Sequence, residues 1–567
     1  MTPASVLSSS SASAAAALDL LILTFNCAKN LIDVPVFAAH LQGALRQNSG
    51  GDGLPDLVAF SLQEVAPLSY AFIGSYFLNP YYAKYEEALN LASSRFLEEE
   101  QESNSTADLE EDEGSSHERE EEEEGLLKPN KKKSQQQSQA ATQTKPYTLV
   151  RAKNVGMTAI MLFARDPETV TRVEEAECGF GAADMGNKGA VGLRVSLKKD
   201  RDSRDETEVT LVATHLAAME WNLKKRNANW RSIASGLTFG NPKEVVPGVF
   251  GENTSGPRAD QSGAGDKVGP GPSAAVADAG GSDSSEATSE ADDEDEAERP
   301  LVTSDGESLA PEHRAALKDI SVFKPSSYLF VAGDLNYRIS STTPPPMSTF
   351  PSFDADSPNH YSTFLPRDQL TQERLAGRAF KGMSEAPVSF GPTYKYNILE
   401  KPDEAVNEEA VRAGVEHDGV PEVPWKFAPH RWPGWCDRVL YLDLPSWLKT
   451  KSQKVEVKAY NSLPVVKTSD HRAVFLRVQV PVVSGENMRK GLEMEESNSD
   501  DGELSQDPRI NPPVLVDAHA WERREAARRK ELLVGMSAFL WSTQEGAVLL
   551  GTMVLLGVGS WYASRGW

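Results

Sequence analysis

Three apolar runs in this chain end in the same way, and that shared ending constrains what the chain can fold into. Ser327-Tyr328-Leu329-Phe330-Val331-Ala332 stops at Gly333, and Asp334, Asn336 and Arg338 follow at once. Trp435-Cys436-Asp437-Arg438-Val439-Leu440-Tyr441 sets Asp and Arg beside a second run, and Ser469-Asp470-His471-Arg472-Ala473-Val474-Phe475 sets Asp and His at the start of a third. Short runs rich in aromatic and β-branched residues read as buried strands. A strand that ends in polar residues delivers them to the rim of a sheet. One such junction reads as an ordinary Asp-Asn turn; three predict a single shared rim.

Further strands are expected at Leu18–Thr24, Leu57–Val65, Tyr147–Val155, Thr158–Phe163, Ala190–Leu197, Glu208–Thr214, Thr393–Asn397, Val455–Tyr460 and Ala473–Val482, with helices at Val34–Arg46 and Ala217–Ala234. Regularly spaced strands with few helices between them predict an α/β chain of two packed β-sheets with helices outside. A flexible N-terminal tail is expected over 1–17, the folded domain over 18–482, and an acidic, Pro-containing linker over 483–520.

The formal net charge of −25 is not a property of that domain. Glu98–Glu124 and Glu252–Arg299 carry −14 and −10 of it. Such tracts bury too little apolar surface to fold, so disordered insertions are expected at about 97–145 and 250–310. The remainder is nearly neutral and can attract an anionic substrate. The three cysteines (Cys27, Cys178 and Cys436) have neither a disulfide pattern nor metal-ligand spacing, which fits a reducing compartment.

Asn26, Glu64, His215, Asp334, Asn336, Asp470 and His471 all stand where an apolar run ends. Together they describe a site of oxygen ligands with histidines nearby, and a few hard oxygen ligands favour Mg²⁺. Closely spaced His or Cys, as zinc prefers, are missing. Lys188 sits in Gly186-Asn187-Lys188-Gly189, Lys395 follows Tyr394, and Arg338 and Arg438 follow two of the aspartates. Cations ringed around an acidic metal cluster suggest a substrate with several phosphates.

These motifs resemble the Mg²⁺-dependent inositol polyphosphate 5-phosphatases of the endonuclease/exonuclease/phosphatase superfamily, over roughly Leu18 to Val482. Gly333-Asp334-Leu335-Asn336-Tyr337-Arg338 and Pro433-Gly434-Trp435-Cys436-Asp437-Arg438-Val439-Leu440 resemble its two signatures. Asn187-Lys188-Gly189, Thr214-His215-Leu216-Ala217-Ala218, Arg226-Asn227, Pro392-Thr393-Tyr394-Lys395-Tyr396 and Ser469-Asp470-His471 resemble the supporting motifs. The resemblance implies a four-layer α/β sandwich. It implies Glu64 as main metal ligand with Asn26 beside it, and Asp334 orienting and deprotonating the attacking water. Asn336 would hold the scissile phosphate, His215 and His471 its developing charge, and Asp470 would fix the His and metal geometry. Asn187, Lys188, Tyr394, Lys395, Arg338 and Arg438 would bind substrate, with Tyr394, Lys395 and Arg438 on the 4-phosphate. A nuclease or sphingomyelinase leaves the Tyr394-Lys395 and Cys436-Asp437-Arg438 motifs without a role, and no nucleic acid partner is expected.

A basic stretch, 521–531, precedes an apolar one, 532–562. Gly546–Tyr562 is close to the shortest length that spans a bilayer, and five bases before it predict a cytoplasmic N-terminal side. The layout resembles a fungal 5-phosphatase held on the endoplasmic reticulum by its tail. The expected activity is removal of the 5-phosphate of phosphatidylinositol 4,5-bisphosphate at that membrane, with the catalytic domain in the cytosol. A phosphatase of soluble inositol phosphates and an inactive membrane-anchored scaffold are the alternatives.

Overall fold

The computed structural model describes residues 17–47, 53–113, 145–203, 206–247, 309–400, 423–445, 448, 454–490 and 506–565. The expected N-terminal tail apart from Ala17, residues 114–144 of the first insertion, nearly all of the second insertion and the middle of the acidic linker lie outside them. The described chain runs β1 (Ala17–Asn26), α1 (Val34–Arg46), β2 (Leu57–Gln63), α2 (Leu68–Ile73), α3 (Asn79–Glu113), β3 (Thr148–Val155), β4 (Thr158–Ala164), β5 (Val170–Gly179), β6 (Gly189–Lys198) and β7 (Glu206–His215). It continues through α4 (Leu223–Gly236), α5 (Pro242–Val245), α6 (Pro311–Ile320), β8 (Ser327–Asp334), α7 (Gln369–Leu375), β9 (Tyr396–Ile398), β10 (Trp425–Phe427), β11 (Asp437–Leu442), β12 (Glu456–Ser462) and β13 (Val474–Pro481). It ends in α8 (Ala520–Ser542) and α9 (Gln544–Arg565).

One sheet has the order β12-β13-β1-β2-β4-β3, and the other β11-β8-β7-β6-β5. The alternation of side chains along a strand explains how they stack. Leu18, Leu20 and Ile22 of β1 face a core shared with Val191, Leu193 and Val195 of β6 and Phe330 of β8. Leu21, Leu23 and Phe25 face the other way, onto Phe37 and Leu41 of α1 and Tyr85 and Leu89 of α3. Trp230 and Ile233 of α4 and Leu370 of α7 cover the outer face of the second sheet at Leu329 and Val331. The architecture is therefore the expected four-layer sandwich, helix-sheet-sheet-helix.

Several elements differ from expectation. The first insertion, expected to be disordered from about 97, begins instead as part of helix α3, which runs to Glu113. Phe96 of that helix is buried, and its Glu99 accepts from Gln42 at 2.6 Å and Arg46 Nε at 2.9 Å on α1, so tertiary contacts anchor a Glu-rich stretch of good helix propensity. The helix expected from Ala217 begins at Leu223. Asn229 Oδ1 takes the Ala217 N–H at 3.0 Å and Arg226 donates to the Met219 carbonyl at 2.6 Å, which holds 217–222 as a loop. Strands β5 and β10 were not expected; in β5 the acids Glu174, Glu175 and Glu177 interrupt the apolar pattern.

The chain breaks between α8 and α9 at Thr543, which is extended (φ −116°, ψ 151°). The expected anchor over 532–562 therefore straddles two helices. Among the described residues, α9 is the one helix long and apolar enough to cross a membrane, with a mean hydropathy of 1.6, and it is almost wholly exposed. The basic stretch forms the first half of α8 and lies against the sandwich.

Candidate active site

The rim is built by register. On neighbouring strands, His215 of β7 stands opposite Asp334 of β8, and Asp334 stands opposite Asp437 of β11. Gly189 pairs with His215, so Lys188 enters from the turn before β6. A side chain cannot replace Gly333, because its Cβ would lie 2.0 Å from the Thr214 carbonyl oxygen. On the facing sheet, β1 and β2 end side by side at Asn26 and Gln63. Glu64 then turns out at φ 47°, and Asn336 turns at φ 56°. Asn tolerates this left-handed region, whereas Glu rarely adopts it, and such strain concentrates at functional sites.

Asp334 is the hub. Its Oδ2 accepts from Asn26 Nδ2 at 3.0 Å and lies 3.3 Å from His215 Nε2 and 3.9 Å from His471 Nε2. Its Oδ1 accepts the Asn336 N–H at 3.1 Å. Burial alone would raise its pKa, but His215, His471 and Lys188 outweigh burial and hold it well below the usual carboxylate range. A carboxylate this acidic stays ionised and accepts hydrogen bonds; it is suited to orienting a water more than to keeping its proton. His215 Nε2 also lies 2.7 Å from Lys188 Nζ. Burial and the lysine charge lower the His215 pKa, favouring the neutral ring. Nε2 is thus placed to accept from Lys188 when unprotonated and to donate to Asp334 when protonated.

His471 behaves oppositely. Its Nδ1 lies 2.9 Å from Asp437 Oδ2. Burial opposes its charge, but Asp437 and Asp334 prevail and raise its pKa to about 9. Burial raises the Asp437 carboxyl, which Thr393 Oγ1 steadies by donating at 2.7 Å. Ser469 locks the base of this corner, donating to the Asn26 carbonyl at 2.6 Å and accepting the His471 N–H at 3.0 Å.

Asp470, expected to fix the histidine geometry, instead pairs with Lys395 Nζ at 3.0 Å, and Asp437 holds that role. Arg438, expected on the substrate, is 1% exposed and clamps Glu385 through Nε at 2.5 Å and Nη2 at 2.6 Å, with Asp368 at 3.0 Å. Arg338 is also buried; it donates to the Asn336 carbonyl and Oδ1 and lies over the Tyr394 ring at 4.5 Å. It supports Asn336 and Tyr394 rather than reaching the cleft. Asn187 Oδ1 is buried against Gly181. Tyr394 packs on His471 with ring centroids 4.5 Å apart, and Lys395 is partly exposed beside it. The Tyr394–Lys395 peptide is cis. Arg226 and Asn227 brace the loops: Asn227 accepts from Tyr337 at 2.8 Å, and Arg226 donates to Gln369 at 2.9 Å.

Two groups could hold a divalent cation. Asp334, Asp437 and His471 each bring one donor atom within 4.8 Å of the others. Because Asp437 occupies His471 Nδ1 and the ring is held cationic, this trio works as a chain of charges, hydrogen-bonded at Asp437 and ion-paired at Asp334. The Glu64 carboxylate is partly exposed and paired with Lys29 at 3.2 Å. Burial would raise its pKa, but Lys188, His215 and Lys29 lower it, so it stays ionised. Asn26 Oδ1 takes one bond, from the Ala28 N–H at 3.1 Å, and keeps a second lone pair. A small set of oxygen donors fits a hard cation that retains several waters.

A family model described as Endonuclease/Exonuclease/phosphatase family 2 matches residues 23–477. Among curated proteins, type II inositol polyphosphate 5-phosphatase 14 of Arabidopsis thaliana is 27% identical over 307 residues, covering 53% of this chain and 20% of its own length. Synaptojanin of Caenorhabditis elegans is 28% identical over 199 residues, covering 34% of this chain and 15% of its own. The match thus spans a fifth or less of either relative. Among solved structures, the inositol polyphosphate 5-phosphatase domain of SPsynaptojanin, in complex with inositol (1,4)-bisphosphate and calcium, aligns with a TM-score of 0.42 at 17% identity, covering 85% of this chain and 93% of that one.

Proposed function

Because this chain belongs to the endonuclease/exonuclease/phosphatase family 2, we propose that it is a Mg²⁺-dependent phosphomonoesterase that removes the 5-phosphate of phosphatidylinositol 4,5-bisphosphate and leaves phosphatidylinositol 4-phosphate. The observation that carries this reading is the rim itself: Lys188, His215, Asp334 and His471 converge on one spot beside Glu64, with Lys395 at its edge. An ionised Asp334 orients a water in line with the phosphorus, and Asn336 holds the scissile phosphate. Lys188, His215 and cationic His471 surround the charge that grows on the phosphoryl oxygens as the P–O bond to the inositol ring breaks. Glu64 and Asn26 would hold the Mg²⁺, which supplies Lewis-acid stabilisation of the same oxygens. Tyr394 and Lys395 would receive the 4-phosphate.

Helix α9 supports a membrane setting for this chemistry. In this reading the tail sits in the endoplasmic reticulum membrane, with the catalytic domain in the cytosol, and the lipid headgroup is presented in the same plane. Phosphate release from a panel of inositol lipids and soluble inositol phosphates, with Mg²⁺ or with EDTA, tests the reading. Release from 5-phosphorylated substrates in Mg²⁺ alone supports it. No release from any of them rejects it.

A further inference from the structure

Helix α8 is docked along the sandwich and bridges its two halves. At its start, Trp521 Nε1 donates to Thr238 Oγ1 at 2.9 Å, and Glu522 pairs with Lys243 of α5 at 2.8 Å. In its middle, Arg524 Nε meets Glu177 of β5 at 2.8 Å. Further on, Arg528 donates to the Phe72 carbonyl at 2.6 Å and the Ile73 carbonyl at 3.2 Å, filling acceptors at the end of α2. Phe539 closes the contact, its ring centroid 5.2 Å from Phe77 and 6.3 Å from Tyr70. Gly535 permits the approach: a Cβ there would lie 2.8 Å from Phe72 Cβ.

At the centre of the helix is Glu531, fully buried. Its Oε1 accepts from Arg524 Nη1 at 2.5 Å, and its Oε2 accepts from Arg524 Nη2 at 3.0 Å and Arg528 Nη1 at 3.3 Å. The remaining bond leaves the helix: Oε1 accepts the backbone N–H of Gly186 at 2.8 Å. A buried carboxylate that is fully paired in this way holds its partners firmly, and losing it takes a partner from each of two arginines and leaves the Gly186 amide without its acceptor. Gly186 opens the turn that carries Lys188, and it is confined on its other side, where a Cβ would lie 2.6 Å from Val155 Cγ1 and 2.8 Å from Gly156 N. Its carbonyl accepts from Met157 N at 3.1 Å. Two residues on, Lys188 Nζ reaches His215.

We infer that Glu531 is a positioning residue, through which the membrane-proximal helix α8 holds the Gly186–Gly189 turn and so places Lys188 against His215. The inference rests on the phosphatase reading for its kinetic consequence. It makes the tail part of the catalytic unit: a single residue, Thr543, separates α8 from α9, so whatever holds α9 in a bilayer also bears on the helix that steadies the turn.

The test uses the full-length protein in detergent, with Glu531→Leu, Glu531→Gln, Gly535→Leu and Arg529→Ala. Hydrogen exchange at Gly186–Lys188 is measured together with kcat and KM on inositol 1,4,5-trisphosphate, a water-soluble substrate that needs no bilayer. Glu531→Leu removes the acceptor, and Gly535→Leu wedges the helix off Phe72 while leaving every charge in place. Both should speed exchange at Gly186 and lower kcat by about tenfold to a hundredfold, the scale of a small misplacement of a reacting group. Glu531→Gln keeps an oxygen for the Gly186 N–H and should fall between them and the wild type. Arg529, paired with Glu525 on the exposed face, serves as the control, and its loss should change neither readout. Unchanged exchange at Gly186 in both Glu531→Leu and Gly535→Leu overturns the inference, as does a kcat within about twofold of wild type in both, well below the cost of a misplaced group. If the wild type releases no phosphate from any inositol lipid or soluble inositol phosphate, the phosphatase reading fails, and the exchange data alone decide the inference.

Discussion

His471 Nδ1 is held 2.9 Å from Asp437 Oδ2, while Asp470, its neighbour in the chain, turns away to Lys395. The ring is thus oriented by a residue on β11, the same strand that pairs with β8 and its Asp334. This makes the two aspartates of the histidine corner experimentally separable.

Asp437→Asn keeps the shape but removes the charge that most raises His471. The sign follows directly. The folded-state pKa, about 9, lies above the ordinary histidine value of about 6.5, so the ion pair is complete below the latter and is lost as pH rises through the former. Turnover of wild type should therefore hold through neutral pH and fall above about 9, whereas Asp437→Asn should lose about 10²-fold or more and shift its alkaline limb to lower pH. Asp470→Asn, which removes the weakest of the charges that raise His471, should shift that limb less. A pH–rate profile of the three proteins decides it; identical limbs would remove His471 from the role.

Lys395 and Arg438 should also separate. Arg438 is buried in a two-pronged pair with Glu385, so Arg438→Ala should destabilise the fold by about 3–5 kcal/mol, the cost of leaving a buried charge unpaired. Lys395 is partly exposed, and Lys395→Ala should barely change thermal stability. Its effect should fall on substrates carrying a 4-phosphate, by about 1.5–3 kcal/mol for a lost charge-assisted contact. Equal losses on substrates with and without that phosphate would assign Lys395 to the scissile phosphate or to the fold.

The contrast between Asp437 and Arg438 shows where sequence reading stops. Strand endings marked Glu64, His215, Asp334 and His471, because an apolar run that halts at a polar residue announces a rim. Within Cys436-Asp437-Arg438, however, consecutive side chains on a strand point to opposite faces. Which of the two enters the site depends on the register between β8 and β11, a property of the pairing and invisible in the run itself. Ser469 and Thr393 stand within the quoted motifs without a role for a related reason: small hydroxyls in loops carry no chemical signature until their partners are known. The basic stretch before the tail holds contacts that its sequence does not show: Arg524 and Arg528 turn inward to Glu177, Glu531 and the end of α2.

Metal dependence can be tested at Glu64. Glu64→Ala should fold normally, since the side chain is partly exposed and its pair with Lys29 is a surface one, worth about 0–1 kcal/mol. It should lose nearly all turnover, and calorimetric titration should find Mg²⁺ binding weakened. Turnover of the wild type in EDTA equal to that in Mg²⁺ would sink the metal assignment.

The last prediction concerns where the tail can be cut. A break at Leu532 bisects α8 and removes Phe539, whose buried ring packs on Phe77 and Tyr70. Burial of a phenylalanine is worth about 1.5–3 kcal/mol, so a chain ending at Glu531 should be soluble but less stable, with α8 frayed. A chain ending at Ser542 keeps all of α8 and drops only α9. It should leave the membrane for the cytosol, because a spanning helix holds far more strongly than basic residues do, and it should still cleave phosphatidylinositol 4,5-bisphosphate in detergent micelles. In the full-length protein, protease added outside sealed microsomes should digest the catalytic domain, since the bases before the span favour a cytosolic N-terminal side. Thermal unfolding of the two truncations, together with fractionation, turnover in micelles and microsome protection, checks these four statements. Equal stability of the two chains would mean that Phe539 contributes nothing to docking; a Ser542-terminated chain that stays on membranes would mean that α9 is not the anchor.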